Sequence, residues 1–332
     1  MNNYLFFRTD RIGDFLVSAI LLNSIKRNDK NSTITIIASK KNYFYIKSFN
    51  FIDEVILYPD TLIKKIKLFF YLLKKNYNLI GVLDGKKKSI YFTFFLKSNF
   101  KILITGKSFY KNILKYIYTK IFLFKESESR IDEIKEILEV ISFNFHEVDQ
   151  YLFEKRILKN NKYIKIPKNY LLFHFDEKWI YKDYIKEYNS IEPSFEEFVN
   201  FLKVLTKKIS LNIIISSGNI NNPILNRFNE NLKKYNDRLY FNEFNGQNVY
   251  VAKNLNFFDL ETLVKNSLIV ITCHGAVTHL ASSLNKKIID IFDQSKKDFY
   301  YKWNKHIKNY SYAFRKNFND LSLEILEKLW IF

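Results

Sequence analysis

Apolar residues along this chain follow two alternating rhythms. Short unbroken runs such as Tyr4-Leu5-Phe6-Phe7 are followed by stretches with helical spacing, as at 16, 17, 20, 21 and 25. The first rhythm predicts buried strands and the second predicts helices. In the first half, strands are expected at Thr33–Ala38, Val55–Tyr58, Leu79–Asp84 and Lys101–Thr105. A lysine-rich helix is expected after Pro59, and a closing helix over 130–144 has apolar positions at 131, 134, 137, 138 and 141. Between 146 and 168 the rhythm fails, and Lys159-Asn160-Asn161-Lys162 and Pro167 mark a linker. It then resumes, with strands expected at 170–174, 211–216, 248–251, 268–272 and 288–292. Helices are expected near 194–208, 222–235, 258–266, 277–284 and 321–330. Such alternation implies parallel strands joined by helical crossovers. The chain therefore reads as α/β, with two similar parallel-sheet lobes over 1–150 and 151–332 and a cleft expected between them. Ligands are expected at the carboxyl ends of the strands.

Composition narrows the class. With 332 residues, 47% hydrophobic and 26% charged, the chain can bury a full core, and wholesale disorder is excluded. A lone cysteine, Cys273, allows no internal disulfide and no four-cysteine zinc site, which fits a reducing compartment, the cytoplasm. No uninterrupted apolar window of about 18 residues predicts a membrane span. Arg8 and Asp10 interrupt the start before a signal-peptide core could form.

Charge changes the picture more. The chain carries 53 basic and 34 acidic residues, a net +19. Residues 61–125 hold fifteen lysines and one acid, Asp84, and so carry +14 of that total. An AT-rich genome enriches lysine everywhere, but it does not strip acids from one segment. The asymmetry favours a functional basic face toward lipid head groups, sugar phosphates or nucleic acid.

Two stretches carry candidate chemistry. In Arg8-Thr9-Asp10-Arg11-Ile12-Gly13-Asp14-Phe15 a strand end opens a helix, with Gly13 permitting a tight turn and Asp14 in the first helical turn. A first-turn acid favoured by the helix dipole is the plain alternative. In Leu268–Leu284 a buried strand enters the small-residue turn His274-Gly275-Ala276 and then a helix bearing Thr278 and His279. Free backbone N–H groups and a positive dipole end suit a phosphate there. Neither a Walker A loop nor a Gly-x-Gly-x-x-Gly pattern is present. His274 and His279, five apart, are expected on different helix faces and not on one metal.

At these residues the chain resembles the ADP-heptose:lipopolysaccharide heptosyltransferases, glycosyltransferase family 9. Arg8 to Arg27, with Gly13-Asp14 before an amphipathic helix, looks like the family's start. Leu255 to Asp293 looks like its donor-binding signature, an acidic-small-Gly-x-x-His-Leu-Ala turn. His279-Leu280-Ala281 match it; His274 stands where the family has its acid, Gly275-Ala276 at the small residue and Gly, and Asp293 in place of a Gly. His174-Phe175-Asp176-Glu177-Lys178-Trp179 corresponds to a Pro-Gly…Lys-x-Trp segment, shortened and without Gly, so that Lys178 takes the place of a diphosphate-binding lysine.

The resemblance implies a GT-B fold with acceptor in the first lobe and sugar nucleotide in the second. It implies inverting, metal-independent transfer without a cofactor. Asp14 would be the general base. Lys178, His274, Gly275, Ala276, Thr278 and His279 would lie on the donor side, and Arg8, Arg11 and Gly13 on the acceptor side. The donor would be ADP-heptose or a similar nucleoside-diphosphate sugar. The acceptor would be a lipid-linked or phosphorylated glycan, such as lipopolysaccharide, met at the inner face of the plasma membrane by a peripheral, cytoplasmic enzyme. The lysines of 61–125, interleaved with Phe69, Phe70, Tyr71, Tyr91 and Phe95, would face that anionic surface. A nucleic-acid or anionic-surface binding protein without transferase activity is one alternative, although only eight arginines and no recognition motif argue for nucleic acid. A sugar-nucleotide epimerase on the same fold is another.

Overall fold

A computed structural model describes residues 1–124, 126, 128–146, 165–180, 190–218, 221–230 and 232–331. The chain divides into two compact units. One is Met1–Lys159 with Tyr301–His306, and the other is Asn160–Tyr300 with Ile307–Phe332. Most of the expected linker, 147–164, lies outside the described residues.

The first unit runs β1 (Asn3–Arg8), α1 (Ile12–Asn28), β2 (Thr33–Ala38), α2 (Tyr43–Lys47), β3 (Glu54–Leu57), α3 (Leu62–Leu73), β4 (Tyr77–Val82), α4 (Lys87–Thr93), β5 (Ser98–Thr105), α5 (Phe109–Ile113), β6 (Lys120–Leu123) and α6 (Arg130–Val140). Its sheet is parallel throughout in the order β3-β2-β1-β4-β5-β6. The chain reverses direction across the sheet between β1 and β4. In open α/β sheets such a switch point leaves a crevice at the strands' carboxyl ends.

The second unit runs β7 (Tyr170–His174), α7 (Glu177–Ile180), α8 (Phe195–Lys208), β8 (Asn212–Ser216), α9 (Pro223–Asn229), β9 (Lys233–Lys234), β10 (Leu239–Phe244), β11 (Gln247–Ala252), α10 (Phe257–Asn266), β12 (Ile269–Cys273), α11 (Ala276–Ser283), β13 (Lys287–Phe292), α12 (Lys297–Asn304), β14 (Tyr310–Phe314) and α13 (Phe318–Lys328). The order is β14-β13-β12-β7-β8-β11-β10-β9, with the switch point between β7 and β12. All pairs are parallel except β10 with its two neighbours. The helix expected over 222–235 stops at Asn229, and two unforeseen strands follow. The second of them, β10, turns into β11 at Asn245-Gly246, whose φ are 51° and 74°. That two-residue loop joins Phe244 to Gln247 as a hairpin.

Each core forms beneath these sheets. In the first unit Phe15 of α1 meets Phe49 edge-on at 5.2 Å. In the second, Phe173 and Phe175 pack on Trp179 and Phe198. Tyr301–His306 crosses to the first unit, where Trp303 stacks on the Arg130 guanidinium at 4.7 Å and Lys302 donates to the Phe124 carbonyl at 3.1 Å. The strand–helix rhythm gives no sign of this crossing. Among the described residues no helix is long and apolar enough to cross a membrane.

Gly81 shows how tightly the first sheet is packed. It pairs with Phe6 on one side and Ile102 on the other, and the Phe6 ring lies across it. A β-carbon there would come within 2.5 Å of Phe6 Cδ1. Gly81→Ala is therefore expected to destabilise the protein by about 1–3 kcal/mol, the cost of overpacking a filled core. A urea unfolding midpoint equal to that of the wild type would show that Phe6 has room to move.

Candidate active site

At the first switch point β1 ends in Arg8, a buried cation with its guanidinium spent locally. It donates to the carbonyls of Leu83 at 2.5 Å and Asp14 at 2.7 Å, and pairs with Asp10 at 3.0 Å. Arg8 thus ties the ends of β1 and β4 to the start of α1. Thr9 donates through its N–H and hydroxyl to Asp84, which also accepts from the Lys86 N–H and the Ser89 hydroxyl. The expectation for Gly13 is corrected: it is the buried second residue of α1, without positive φ, and makes no turn. Asp14, half-buried, accepts the Arg11 N–H at 3.3 Å, so its carboxylate caps its own helix. Arg11 itself is exposed.

Asp10 is a residue that sequence reasoning missed. Burial pushes its carboxyl up to about 6, with the charges of Asp14 and Asp84 adding to the rise and Arg8 opposing it. Its Oδ1 is buried with no hydrogen-bond partner. A second acid four residues before Asp14 is visible in the sequence, but its burial is not.

The second switch point gathers more. β7 ends at His174, and α7 presents Lys178. β12 ends at Cys273, and α11 begins just beyond Gly275. The two stretches, a hundred residues apart in sequence, meet here. A β-carbon on Gly275 would lie 2.6 Å from Lys178 Nζ. That ammonium is held by Asp176 at 2.7 Å, and the Asp176 carboxylate also lies 3.6 Å from His174 Nε2. Burial would lower the Lys178 pKa, but the Asp176 carboxylate more than offsets it, and the group is held above its ordinary value. Lys178 is thus a fixed cation near the N-terminal end of α11, where the helix dipole is also positive.

Below it, Asp290 in the middle of β13 is fully buried. It accepts from the Thr278 hydroxyl at 2.8 Å and the Tyr310 hydroxyl at 2.9 Å, and His274 Nδ1 lies 2.7 Å away. Three groups on one buried carboxylate fix the turn. Thr278 in turn accepts the Gly275 N–H at 3.1 Å. The expectation that the Gly275 N–H is free for a phosphate is therefore corrected. Thr278 is a buried support, while His274, Gly275 and Ala276 keep partial exposure. The expectation for the two histidines is also corrected. His274 precedes α11, so helical spacing does not apply, and its ring meets that of His279 edge-on at 5.3 Å. His274 also stacks on Tyr300 at 4.0 Å. Among the described residues no group of three or more His, Cys, Asp or Glu is placed to hold a metal. Asp290 had a signal in the sequence: it is the only acid in the apolar run Ile288-Ile289-Asp290-Ile291.

Cys273 is buried, and burial first of all raises its thiol above the ordinary range, which favours the protonated form. Arg315 reaches its sulfur at 3.8 Å and donates to the Lys178 carbonyl at 3.0 Å, bracing α7 against β12.

No protein-family model matches this sequence, and no curated protein matches it. Solved structures do match. The Escherichia coli heptosyltransferase WaaC, solved with ADP, superposes with a TM-score of 0.69 over 98% of this chain and 99% of its own, at 13% identity. The E. coli ADP-heptose lipopolysaccharide heptosyltransferase II gives 0.65 over 100% and 98%, at 12% identity. A glycosyltransferase family 9 protein from Veillonella parvula gives 0.64 over 99% and 89%, at 12% identity. The fold is therefore GT-B, two Rossmann-like lobes. These structures come from the family that the Arg8–Arg27 and Leu255–Asp293 stretches resemble.

His174 supplies a check on the second site. It is buried against Ser216, whose hydroxyl lies 2.9 Å from Nδ1, and burial pushes its pKa down to about 4. Between about pH 6.5 and pH 4 the unfolded chain takes up this proton and the fold does not. This group is expected to lower stability as pH falls through that window, by up to about 1.4 kcal/mol per pH unit. By NMR its imidazole should titrate near pH 4. A ring titrating near 6.5 would show that water reaches the His174–Ser216 pair.

Proposed function

We propose that this protein is an inverting glycosyltransferase that moves a heptose or similar sugar from a nucleoside-diphosphate donor to a lipopolysaccharide-type or related surface glycan. One observation carries the reading: Lys178, paired with Asp176, is packed against Gly275 at the head of α11, at the switch point of the second lobe of a GT-B fold. A cation, a helix N-terminus and a side-chain-free turn together suit a diphosphate. The similar WaaC was solved with ADP, which supports a nucleotide donor.

In this reading Asp14 takes the proton of an acceptor hydroxyl. The oxygen attacks the anomeric carbon from the face opposite the leaving group. The bond from that carbon to the phosphate oxygen breaks, its electron pair leaves with the nucleoside diphosphate, and the configuration inverts. Lys178 and the N-terminal end of α11 offset the charge that grows on the diphosphate, so no step is assigned to a metal. His274, positioned by Asp290, takes the place of the family acid toward the donor, with Ala276 and His279 beside it. Arg8 acts on the acceptor side only by holding Asp14 through its carbonyl, and Arg11 is the exposed cation there. The acceptor is lipid-linked, and the enzyme works peripherally at the cytoplasmic face of the membrane.

Two variants test the two halves separately. Asp14→Asn is expected to keep nucleotide affinity and lower turnover by about 10²–10⁴-fold, the usual worth of a general base. If Asp10→Asn shows that loss and Asp14→Asn does not, the base has been misassigned. Lys178→Met is expected to weaken nucleoside-diphosphate binding in calorimetry with EDTA present. A lost charge-assisted contact of about 1.5–3 kcal/mol corresponds to roughly 10- to 150-fold in Kd. Unchanged affinity in a folded variant would remove Lys178 from the donor site.

A further inference from the structure

The proposed function puts the enzyme at a membrane without naming the residues that hold it there, and the first lobe carries a surface suited to that contact. Helix α3, Leu62–Leu73, buries only Leu68 and Leu72. With about 100° between successive residues, Leu62, Ile66, Phe70 and Ile63 form one arc of roughly a quarter-turn, well away from the buried pair. These residues are not covered: Leu62 is 72% exposed, Ile63 69%, Ile66 46% and Phe70 59%. Lys67 and Lys74 border the arc on one side, with Lys64 beyond them, and all three are exposed. A surface helix normally turns its apolar stripe to the core and its charges to water. Here one apolar stripe goes to the core and a second goes to solvent beside lysines.

The patch extends beyond the helix. Phe69, half-buried, contacts Phe70 at 6.0 Å and Phe95 at 6.4 Å, and Phe95 is 74% exposed. Tyr91 of α4 is also exposed. Lys65 and Lys88 both lie over the Tyr58 ring, at 5.9 and 4.3 Å. Lys88 is held below its ordinary pKa first by burial and then by the charge of Lys86, as expected where cations are crowded. Other lysines of the segment are committed elsewhere: Lys75 to Glu54, Lys111 to Glu126, Lys120 to Glu136, and Lys101 to the carbonyls of Thr93 and Phe94. Of the lysines without such a partner, Lys64, Lys67 and Lys74 border the exposed apolar arc, while Lys87, Lys97, Lys107 and Lys115 stand on or beside α4, β5 and α5.

We infer that α3 lies in the surface of an anionic bilayer, with Leu62, Ile63, Ile66 and Phe70 inserted among the acyl chains and Lys64, Lys67 and Lys74 on head-group phosphates. The chemistry selects this partner. An apolar stripe along a helix of about 18 Å, edged by long cationic side chains, fits an interface with an apolar interior and an anionic rim. The lysine stems cover apolar surface while their ammonium groups stay at the phosphates. Nucleic acid would be drawn by the lysines but has no place for Leu62 and Ile66. This anchor deepens the peripheral placement in the proposed function and rests on it for the membrane, but it needs neither donor nor acceptor.

The test uses the full chain and vesicles of phosphatidylcholine, with or without a share of phosphatidylglycerol. Phe70→Trp places a fluorophore in the arc, and lipids brominated along the acyl chain quench only a ring that enters them. The expected result is quenching above the wild-type background in anionic vesicles. The triple change Leu62→Gln, Ile66→Gln and Phe70→Gln, all on exposed positions, should lower vesicle partition about tenfold or more with circular dichroism unchanged. Changing Lys64, Lys67 and Lys74 to Gln should erase the preference for anionic over neutral vesicles. Binding without quenching would overturn the inference, because the lysines would then only adsorb. So would an absence of vesicle binding, tighter binding to RNA that the apolar triple leaves intact, or self-association that the same triple abolishes. Nucleotide binding measured on the same variants should be unchanged, which separates failure of this anchor from failure of the transferase reading.

Discussion

The second lobe is organised around a missing side chain. At Gly275 a β-carbon would lie 2.6 Å from the Lys178 ammonium, so the glycine leaves room for that cation where α7 brings it to the head of α11. The ammonium is costly to bury and is kept charged by Asp176. The turn that receives it is fixed from below by Asp290, through Thr278 and His274. Arg315 braces both halves through Cys273 and the Lys178 carbonyl. Each of these groups is paired, so the shape of the turn is set by the lobe's own side chains. Fixed positive charge in a preorganised turn is what a leaving diphosphate requires.

The first lobe uses the same logic with opposite sign. Arg8 is buried in order to join β1, β4 and α1, and it leaves three carboxylates, those of Asp10, Asp14 and Asp84, around one crevice. Asp84 is saturated by hydrogen bonds from Thr9, Lys86 and Ser89. Asp10 is pushed toward its neutral form by burial. Asp14 alone combines partial exposure with a place in the first helical turn, which singles it out as the base in the proposed reaction.

Much of this was legible in the sequence. Parallel strands are buried on both faces, so β7 and β12 read as near-continuous apolar runs, β13 is broken only by Asp290, and α8 and α11 keep helical spacing, while the short α7 gives no such signal. The antiparallel extension was not found, because Leu-Tyr-Phe-Asn-Glu-Phe has no clean period, although the Asn245-Gly246 pair that makes its turn is a recognised hairpin signal. At the site, Lys178 and Gly275 were each legible through resemblance to a known motif. Their partners Asp176 and Arg315 were not, because a supporting group shows no pattern until the sheet order places it beside what it supports, and Asp290 showed only as the lone acid of an apolar run. Spacing misled for His274 and His279, since helical geometry was applied to a residue that precedes the helix. The lysine excess of 61–125 was plain from composition, but only the structure shows which lysines are committed to acids and carbonyls and which border exposed apolar residues.

The most direct test of the central claim is the configuration of the sugar linkage made by the purified protein. A nucleoside-diphosphate heptose of known anomeric configuration would be incubated with a lipopolysaccharide-core acceptor in EDTA, and the product examined by NMR. The expected product is a new glycosidic bond of opposite configuration, formed together with one nucleoside diphosphate per sugar transferred. A product that keeps the donor's configuration, or a donor converted to an epimer without transfer, would contradict the proposed inverting transfer.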